Sequence, residues 1–318
     1  MKYFFSCDWG TSAFRLRLIE PDGLKVLSEI KTNNGIAVSF DQWKTSGGDE
    51  SNRVWFYQSY LFARLKEMKA AIDDTLHEAP VILSGMASSS IGMMELPYKE
   101  IPFRCDGSDL VLQTITAGEE HPGKMIIISG ARSEVDAVRG EETMLAGCDA
   151  VKDGREKLFI FPGTHSKHML VEKGLVTNIT TYITGELFDL LSNKSILSAS
   201  VKKRGEEAVE DDHFFIEGVI KGSISNLSNS VFQVRTNQLF NKLTPQENYD
   251  FLSGLLIGYE LKEVAKSKTA AIVLVCGEGL KNAYTRALGA LGLSEKLVYQ
   301  NADDALIKGQ WRIIRHAL

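Results

Sequence analysis

Hydrophobic and polar positions along this chain fall into two rhythms. Four short runs are apolar almost throughout and end at glycine: VILSG (81–85), MIIISG (125–130), LFIFPG (158–163) and AIVLVCG (271–277). Runs of this kind predict strands buried on both faces, the arrangement of parallel strands in an α/β sheet. Elsewhere the apolar residues return every three or four positions. Tyr57, Tyr60, Leu61, Leu65 and Met68 predict a helix over 54–76, and a second opens at Glu141 and runs through Met144, Leu145 and Cys148. Thr244-Pro245 is a helix start signal, and that helix is expected to reach Lys266. Another helix follows Gly279, and a last one covers 303–317 with Ile307, Trp311, Ile314 and Leu318 on one stripe. The polar, turn-rich stretch 32–50 reads as a loop, and the charge run RGEEAVEDD (204–212) as solvated loop and helix start.

One device occurs twice. FSCDWGTSAFRLRLIEPDGLKVL near the start and LFIFPGTHSKHMLVEKGLVTNIT half a chain later each read as strand, Gly-Thr turn, strand, short turn, strand. In the first copy Phe14, Leu16 and Leu18 face one way and Arg15 and Arg17 the other. Gly10-Thr11 and Gly163-Thr164 hold the same place in the two copies. Glycine lets the backbone approach a ligand, and successive turn N–H groups form an anion nest. Two such hairpins would hold one polyphosphate from both sides, which points to a nucleotide-using enzyme of two related lobes. Asp8, two residues before the first glycine, strengthens this. A carboxylate at a strand end beside a phosphate nest needs a cation, and Mg²⁺ accepts one or two carboxylates together with phosphates and waters.

Composition narrows the classes. A chain of 318 residues exceeds the usual single-core limit, so two domains are expected. A net charge of −5 with no lysine- or arginine-rich stripe argues against nucleic acid as a partner. No apolar run is long enough to span a bilayer, and the N-terminus enters a strand directly, so no signal peptide is expected. Cys7, Cys105, Cys148 and Cys276 are scattered without a C-x-x-C pair; together these features predict a cytoplasmic protein. His165-x-x-His168 has no companion cluster, and its two imidazoles would face opposite sides of a strand, so a zinc site is not expected.

A third constellation is VRGEETMLAGC (138–148), where two acids open a helix just before the second hairpin. Acids in a first helical turn ordinarily serve the macrodipole. Here one could also take the proton of a substrate hydroxyl that attacks a γ-phosphate, a reaction that needs mainly positioning and charge neutralisation.

With these residues assembled, the chain resembles the 2-keto-3-deoxygalactonokinases (2-dehydro-3-deoxygalactonokinases), a branch of the sugar kinase/Hsp70/actin superfamily. The resemblance covers nearly the whole chain and rests on DWGTS (8–12), LSGMASSSIGMMELPY (83–98), RGEET (139–143), PGTHSKH (162–168), TGEL (184–187), FLSGLLIGYE (251–260) and VCGEG (275–279). It implies an α/β chain of two ribonuclease H-like lobes with an interlobe cleft. The expected division is 1–150, with the first phosphate hairpin, the sugar-acid side and the interdomain helix, and 151–318, with the second phosphate hairpin and the nucleoside side. The polar stretch 150–157 is the hinge, and the last helix is expected to pack back on the first lobe. The implied reaction is ATP- and Mg²⁺-dependent phosphorylation of the terminal hydroxyl of 2-dehydro-3-deoxy-D-galactonate to the 6-phosphate.

Residue by residue, the resemblance implies that Asp8 orients Mg²⁺. Gly10, Thr11 and Ser12 form the first phosphate loop, and Gly163, Thr164, His165, Ser166 and Lys167 the second. Gly277, Glu278 and Gly279 form the nucleoside turn, with Gly254 and Gly258 allowing close helix approach beside it or serving plain tight packing. Glu141 is the expected general base and Glu142 its alternative. Arg15 or Arg139 would grip the substrate carboxylate, and Ser88, Ser89 and Ser90 would face its hydroxyls. Partners are then ATP and a small sugar acid, and the sequence is compatible with a homodimer. Two other readings stay open: a kinase of the same fold for another sugar acid or sugar, and a non-catalytic actin-like nucleotide-binding regulator. A nuclease of the ribonuclease H-like type would need a carboxylate cluster and a basic surface that the sequence lacks.

Overall fold

Strand β1 (Phe4–Trp9) turns back antiparallel through β2 (Phe14–Glu20) to β3 (Lys25–Thr32), as the alternation in the first hairpin predicts. The computed structural model describes residues 1–70, 76, 78–116, 123–149, 155–205, 212–266 and 271–315. Residues 150–154 of the hinge expected at 150–157 and residues 206–211 of the charge run lie outside the described residues, as do residues near the ends of two predicted helices. The chain divides into two units, one of Met1–Gly154, Val171–Ile179 and Ala302–Leu318, the other of Arg155–Leu170 and Thr180–Asn301.

In the first unit, helices α1 (Ile36–Thr45) and α2 (Arg53–Ala70) follow the hairpin. Strand β4 (Val81–Gly85) then enters beside β1, and the short strands β5 (Lys99–Glu100) and β6 (Phe103–Arg104) lead to β7 (Leu112–Thr116) and β8 (Lys124–Ile128). The main sheet has the order β3-β2-β1-β4-β8-β7, with β1, β4 and β8 parallel. Strands β9 (Ala131–Arg132) and β10 (Ala137–Val138) make a small sheet with β5 and deliver the chain to α3 (Glu141–Gly147). Phe5, Cys7, Phe14, Leu16, Leu18, Val81 and Leu83 form one core with Tyr57, Leu61 and Leu65 of α2.

Helix α1 corrects the loop reading of 32–50. Its apolar residues Ile36, Phe40 and Trp43 are spaced for one helical face, but polar neighbours and flanking glycines dilute the signal. Its first N–H groups find acceptors far away in sequence: Ile36 donates to the Gly10 carbonyl (2.9 Å) and Ala37 to that of Thr11 (3.1 Å).

In the second unit the hairpin recurs as β11 (Lys157–Phe161), β12 (Ser166–Glu172) and β13 (Leu175–Tyr182), with α4 (Thr184–Lys194) after it. The hairpin tip, Val171–Ile179, belongs to the first unit, where β13 pairs with β6. Helices α5 (His213–Ile224), α6 (Leu227–Ser230), α7 (Phe232–Leu239), α8 (Pro245–Glu260) and α9 (Lys262–Lys266) precede β14 (Ile272–Cys276), α10 (Glu278–Ala290) and β15 (Leu297–Asn301). Strands β11, β14 and β15 are parallel, and the order β15-β14-β11-β12-β13 repeats that of the first sheet, β8-β4-β1-β2-β3. Thr244 caps α8 through a full capping box with Glu247, the helix start that Thr-Pro announces.

Among the described residues, a helix pair in each unit is drawn together by glycines. In the second unit, Gly218 and Gly222 of α5 face Gly254 and Gly258 of α8; a Cβ at Gly254 would lie 2.0 Å from the Phe215 carbonyl oxygen, and one at Gly258 2.2 Å from that of Val219. Gly254 and Gly258 therefore serve helix–helix packing. The last helix, α11 (Ala302–Ile314), belongs to the first unit and packs on α3, where a Cβ at Gly147 would stand 1.7 Å from the Ala305 carbonyl oxygen. Among the described residues no helix is long and apolar enough to cross a membrane.

Candidate active site

In the first unit the site begins where β1 and β4 end. Gly10 N–H donates to the Ala13 carbonyl at 2.9 Å and closes the turn, leaving the Thr11 and Ser12 side chains exposed. Gly35, at the N-cap of α1, lies so close that a Cβ there would stand 2.3 Å from the Thr11 carbonyl oxygen. Asp8 keeps 18% of its side chain exposed. Burial raises its pKa; Arg15 and Arg17 act against that rise, and the charges of Asp303 and Glu141 add to it. Gly85 and Gly140 both have positive φ (79° and 114°), which only glycine adopts at little cost. A Cβ on Gly85 would lie 3.2 Å from Asp8 Oδ1, and one on Gly140 3.6 Å from Gly85 Cα, so the start of α3 is seated against the Asp8 strand end.

The two acids of α3 part company there. Glu142 is 1% exposed, accepts from Gly140 N–H at 2.7 Å and from the Thr143 hydroxyl at 2.9 Å, and has its pKa pushed up to about 7 by burial and by the Glu141 charge. Glu141 is only half-buried, and one of its oxygens accepts from Arg139 N–H at 3.0 Å. Of the pair, Glu141 has the more accessible carboxylate.

Arg139 donates through Nη1 to the carbonyl (2.5 Å) and hydroxyl (2.6 Å) of Ser88, and its guanidinium lies 4.2 Å from the centre of the Tyr98 ring. Its buried Nε has no hydrogen-bond partner among the described residues. Arg15 is held by Asp303 at 3.2 Å and by Asp8 at 3.7 Å. The serine loop is more tied down than the sequence suggests. Ser88 and Ser89 are buried, the Ser89 hydroxyl donates to the Met86 carbonyl at 2.7 Å, and Ser90 alone of the three is exposed. Arg53 and Tyr57 of α2 hold the loop from behind through the carbonyls of Ser90, Ile91 and Gly92.

In the second unit the Gly163 turn is stitched to α4 as the first is to α1. Glu186 N–H donates to the Thr164 carbonyl at 3.0 Å, and a Cβ on Gly185 would lie 2.6 Å from the Gly163 carbonyl oxygen. Nothing lies within 4 Å of a Cβ built on Gly163, Gly277 or Gly279, so no packing inside the protein demands glycine at these turns, and the space beside them is open to a ligand. His165 is half exposed and meets Glu186 at 2.5 Å, while the Lys167 ammonium donates to the His165 carbonyl at 2.8 Å. Ser166 differs from its expected part: its side chain is fully buried and donates to Glu260 at 2.7 Å, so only its backbone belongs to the turn. His168 points inward to Glu260 as well, opposite in sense to His165. Glu278 is largely exposed and bonds the Tyr299 hydroxyl at 3.0 Å and Lys281 at 3.2 Å.

Four residues at these sites escape the sequence reading: Gly35, Gly185, Glu260 and Asp303. Glu260 does leave a trace, as an acid ending the otherwise apolar run FLSGLLIGY. Among the described residues no group of three or more His, Cys, Asp or Glu side chains could hold a metal on its own. Asp8 does fit an ion shared with phosphates: it is a hard oxygen donor, part exposed, whose charge burial and neighbouring acids disfavour.

Comparison with known proteins gives the chain a family. A family model described as 2-keto-3-deoxy-galactonokinase matches residues 8–313. A protein of Rhizobium meliloti (strain 1021), named as a probable 2-dehydro-3-deoxygalactonokinase, is 30% identical over 316 residues, 96% of this chain and 95% of its own. The 2-dehydro-3-deoxygalactonokinase of Escherichia coli (strain K12) is 28% identical over 295 residues, 85% of this chain and 96% of its own. A crystal structure from Sinorhizobium meliloti that bears the 2-dehydro-3-deoxygalactonokinase name superposes with a TM-score of 0.80 at 27% identity, covering 99% of both chains. The α/β architecture with its repeated sheet order is shared with that structure.

Proposed function

The chain belongs to the 2-keto-3-deoxy-galactonokinase family, and from that premise we propose how its own residues transfer the γ-phosphoryl group of ATP to 2-dehydro-3-deoxygalactonate. The acceptor is the terminal hydroxyl of the sugar acid and the product its 6-phosphate. Glu141 takes the proton of that hydroxyl as its oxygen attacks, the part a positioned carboxylate plays in phosphoryl transfer. The observation that carries this reading is the contrast at the start of α3. Glu142 is buried with both carboxylate oxygens engaged, whereas Glu141 is partly exposed and lies near enough to Asp8 to raise its pKa.

Arg139 is our choice for the substrate carboxylate. Its guanidinium is oriented by Ser88 and Tyr98 and keeps an unpartnered Nε, whereas Arg15 is engaged by Asp8 and Asp303. Ser90 offers the exposed hydroxyl of its loop; Ser88 acts by orienting Arg139. The backbone of Gly10–Ser12 and of Gly163–Lys167 receives phosphate, and the open turn Gly277–Gly279 receives the nucleoside. Asp8 would hold Mg²⁺, which when bound with ATP supplies positive charge to the transferring group. All four cysteines are buried, which suits a reducing cytoplasm.

The test is coupled ADP release with MgATP against a panel of 2-keto-3-deoxy sugar acids, plain hexoses and no acceptor. Strong stimulation by the galactonate-derived acid alone supports reaction and substrate together. Stimulation by another member of the panel keeps the kinase and changes its substrate. Silence across the panel transfers the reading to a nucleotide-binding regulator.

A further inference from the structure

Glu260 ends α8 and is 1% exposed, yet four side chains from three other elements converge on its carboxylate. Ser166 Oγ donates to Oε1 at 2.7 Å and His168 Nε2 to the same oxygen at 2.9 Å. The Tyr284 hydroxyl donates to Oε2 at 2.8 Å, and the Thr184 hydroxyl donates to Oε2 as well. A carboxylate has about four lone-pair sites, and here each has a donor. Burial alone would raise the Glu260 pKa; the hydrogen bonds from His168, Thr184 and Ser166 outweigh it and hold the pKa below the ordinary value. Tyr284 is driven the other way, well above its usual range, by burial and by the Glu260 charge.

The three elements that meet on Glu260 are those that carry the turns. Ser166 and His168 begin β12, directly after Gly163-Thr164-His165. Thr184 opens α4, whose next two residues, Gly185 and Glu186, lie against the carbonyls of Gly163 and Thr164. Tyr284 stands on α10, the helix that starts at Gly277–Gly279. An apolar side chain would join these elements with less desolvation cost. A carboxylate adds direction, because it fixes its donors in angle as well as in distance.

We propose that Glu260 is a positioning residue for nucleotide binding: through Ser166, Thr184 and Tyr284 it holds the Gly163–His165 turn and the start of α10 in the geometry that receives phosphates and nucleoside, without touching the nucleotide itself. The inference rests on reading those two turns as the nucleotide site.

The experiment pairs steady-state kinetics in each substrate with calorimetric titration of ATP in the absence of sugar acid. Glu260→Gln replaces two of the four acceptor sites with donors. It is expected to raise the KM for ATP roughly 10- to 100-fold, the scale of a misplacement near 1 Å, and to leave the KM for the sugar acid unchanged. Thr184→Val and Tyr284→Phe remove one donor each with little change of volume; they should raise the ATP KM by a smaller factor, and Thr184→Ser should restore it. These milder variants decide the matter if Glu260→Gln does not fold. Equal ATP affinity in the Thr184→Val, Tyr284→Phe and wild-type proteins overturns the inference, as does a parallel shift of both KM values with loss of thermal stability. Wild-type protein that binds no nucleotide overturns the reading of the turns and this inference with it.

Discussion

Glu141 and Glu142 are neighbours in the chain with opposite surroundings: one carboxylate reaches partly exposed space, while the other is sealed beneath the helix start with Gly140 N–H and the Thr143 hydroxyl on its two oxygens. A pKa near 7 is the usual mark of a catalytic base, and Glu142 carries it. Accessibility decides the other way, since a base must come within hydrogen-bond reach of the proton it takes. Glu141→Gln is expected to lower kcat by about 10²- to 10⁴-fold with little change in the KM for ATP. Turnover close to wild type in that variant would remove Glu141 from the mechanism.

Glu142 should show itself in stability instead. Its native pKa of about 7 stands above the ordinary 4.5, so the native state favours the protonated form. Below 4.5 both native and unfolded chains hold the proton. As pH rises from 4.5 to 7 the unfolded chain ionises first, and stability falls by about 3 kcal/mol, with the loss complete above the native pKa. Glu142→Gln keeps an acceptor for Gly140 N–H and has no proton to lose. Its melting temperature should therefore fall less between pH 5 and pH 8 than that of the wild type, a comparison that differential scanning calorimetry makes directly.

Asp8→Asn should weaken the dependence on magnesium before it weakens sugar-acid binding. The expected result is a higher magnesium concentration at half-maximal rate, with the KM for the sugar acid nearly unchanged. An unaltered magnesium titration would show that Asp8 serves only its contact with Arg15.

Arg139 and Arg15 are separated by the same kind of measurement. Arg139→Ala should raise the KM for the sugar acid about 10- to 100-fold, since it removes a charge-assisted pair. Arg139→Lys should recover little of this loss, because an ammonium lacks the planar fork. Arg15→Ala should alter magnesium dependence through Asp8 and leave the sugar-acid KM nearly as it was. Interchanged outcomes for the two arginines would interchange the roles.

The glycines between α5 and α8 should be intolerant. Gly258→Ala places a methyl group 2.2 Å from the Val219 carbonyl oxygen, a backbone atom that cannot swing aside. A loss of about 1–3 kcal/mol is expected in urea unfolding, the usual span for an overfilled core. Gly279→Ala, in the first turn of α10 where a Cβ meets nothing within 4 Å beyond its own helix turn, should keep stability or raise it by up to about 1 kcal/mol and raise the KM for ATP.

Much of this molecule is legible in its sequence for a local reason. A parallel strand buried on both faces must be apolar along its whole length, so β4, β8, β11 and β14 announce themselves as runs ending in glycine. The doubled hairpin and the acids at the start of α3 are visible because each depends on residues a few positions apart. The capping box of α8 is legible for the same reason.

What tertiary structure alone decides is which distant groups complete these local pieces. Helix α1 is supported by carbonyls of Gly10 and Thr11, which no window around 36–45 contains. The spacing of Gly254 and Gly258 predicts a close approach, but only packing names α5 as the partner. Glu260 draws its donors from as far as 94 positions away, and a charge is stable in a core only when all of them arrive together. The sequence by itself determined the strands, the turns and the chemistry available at their ends, because backbone conformation and burial pattern are written locally. Folding determined which of two adjacent acids faces solvent and which serine turns inward, because exposure and hydrogen-bond satisfaction belong to the assembled unit.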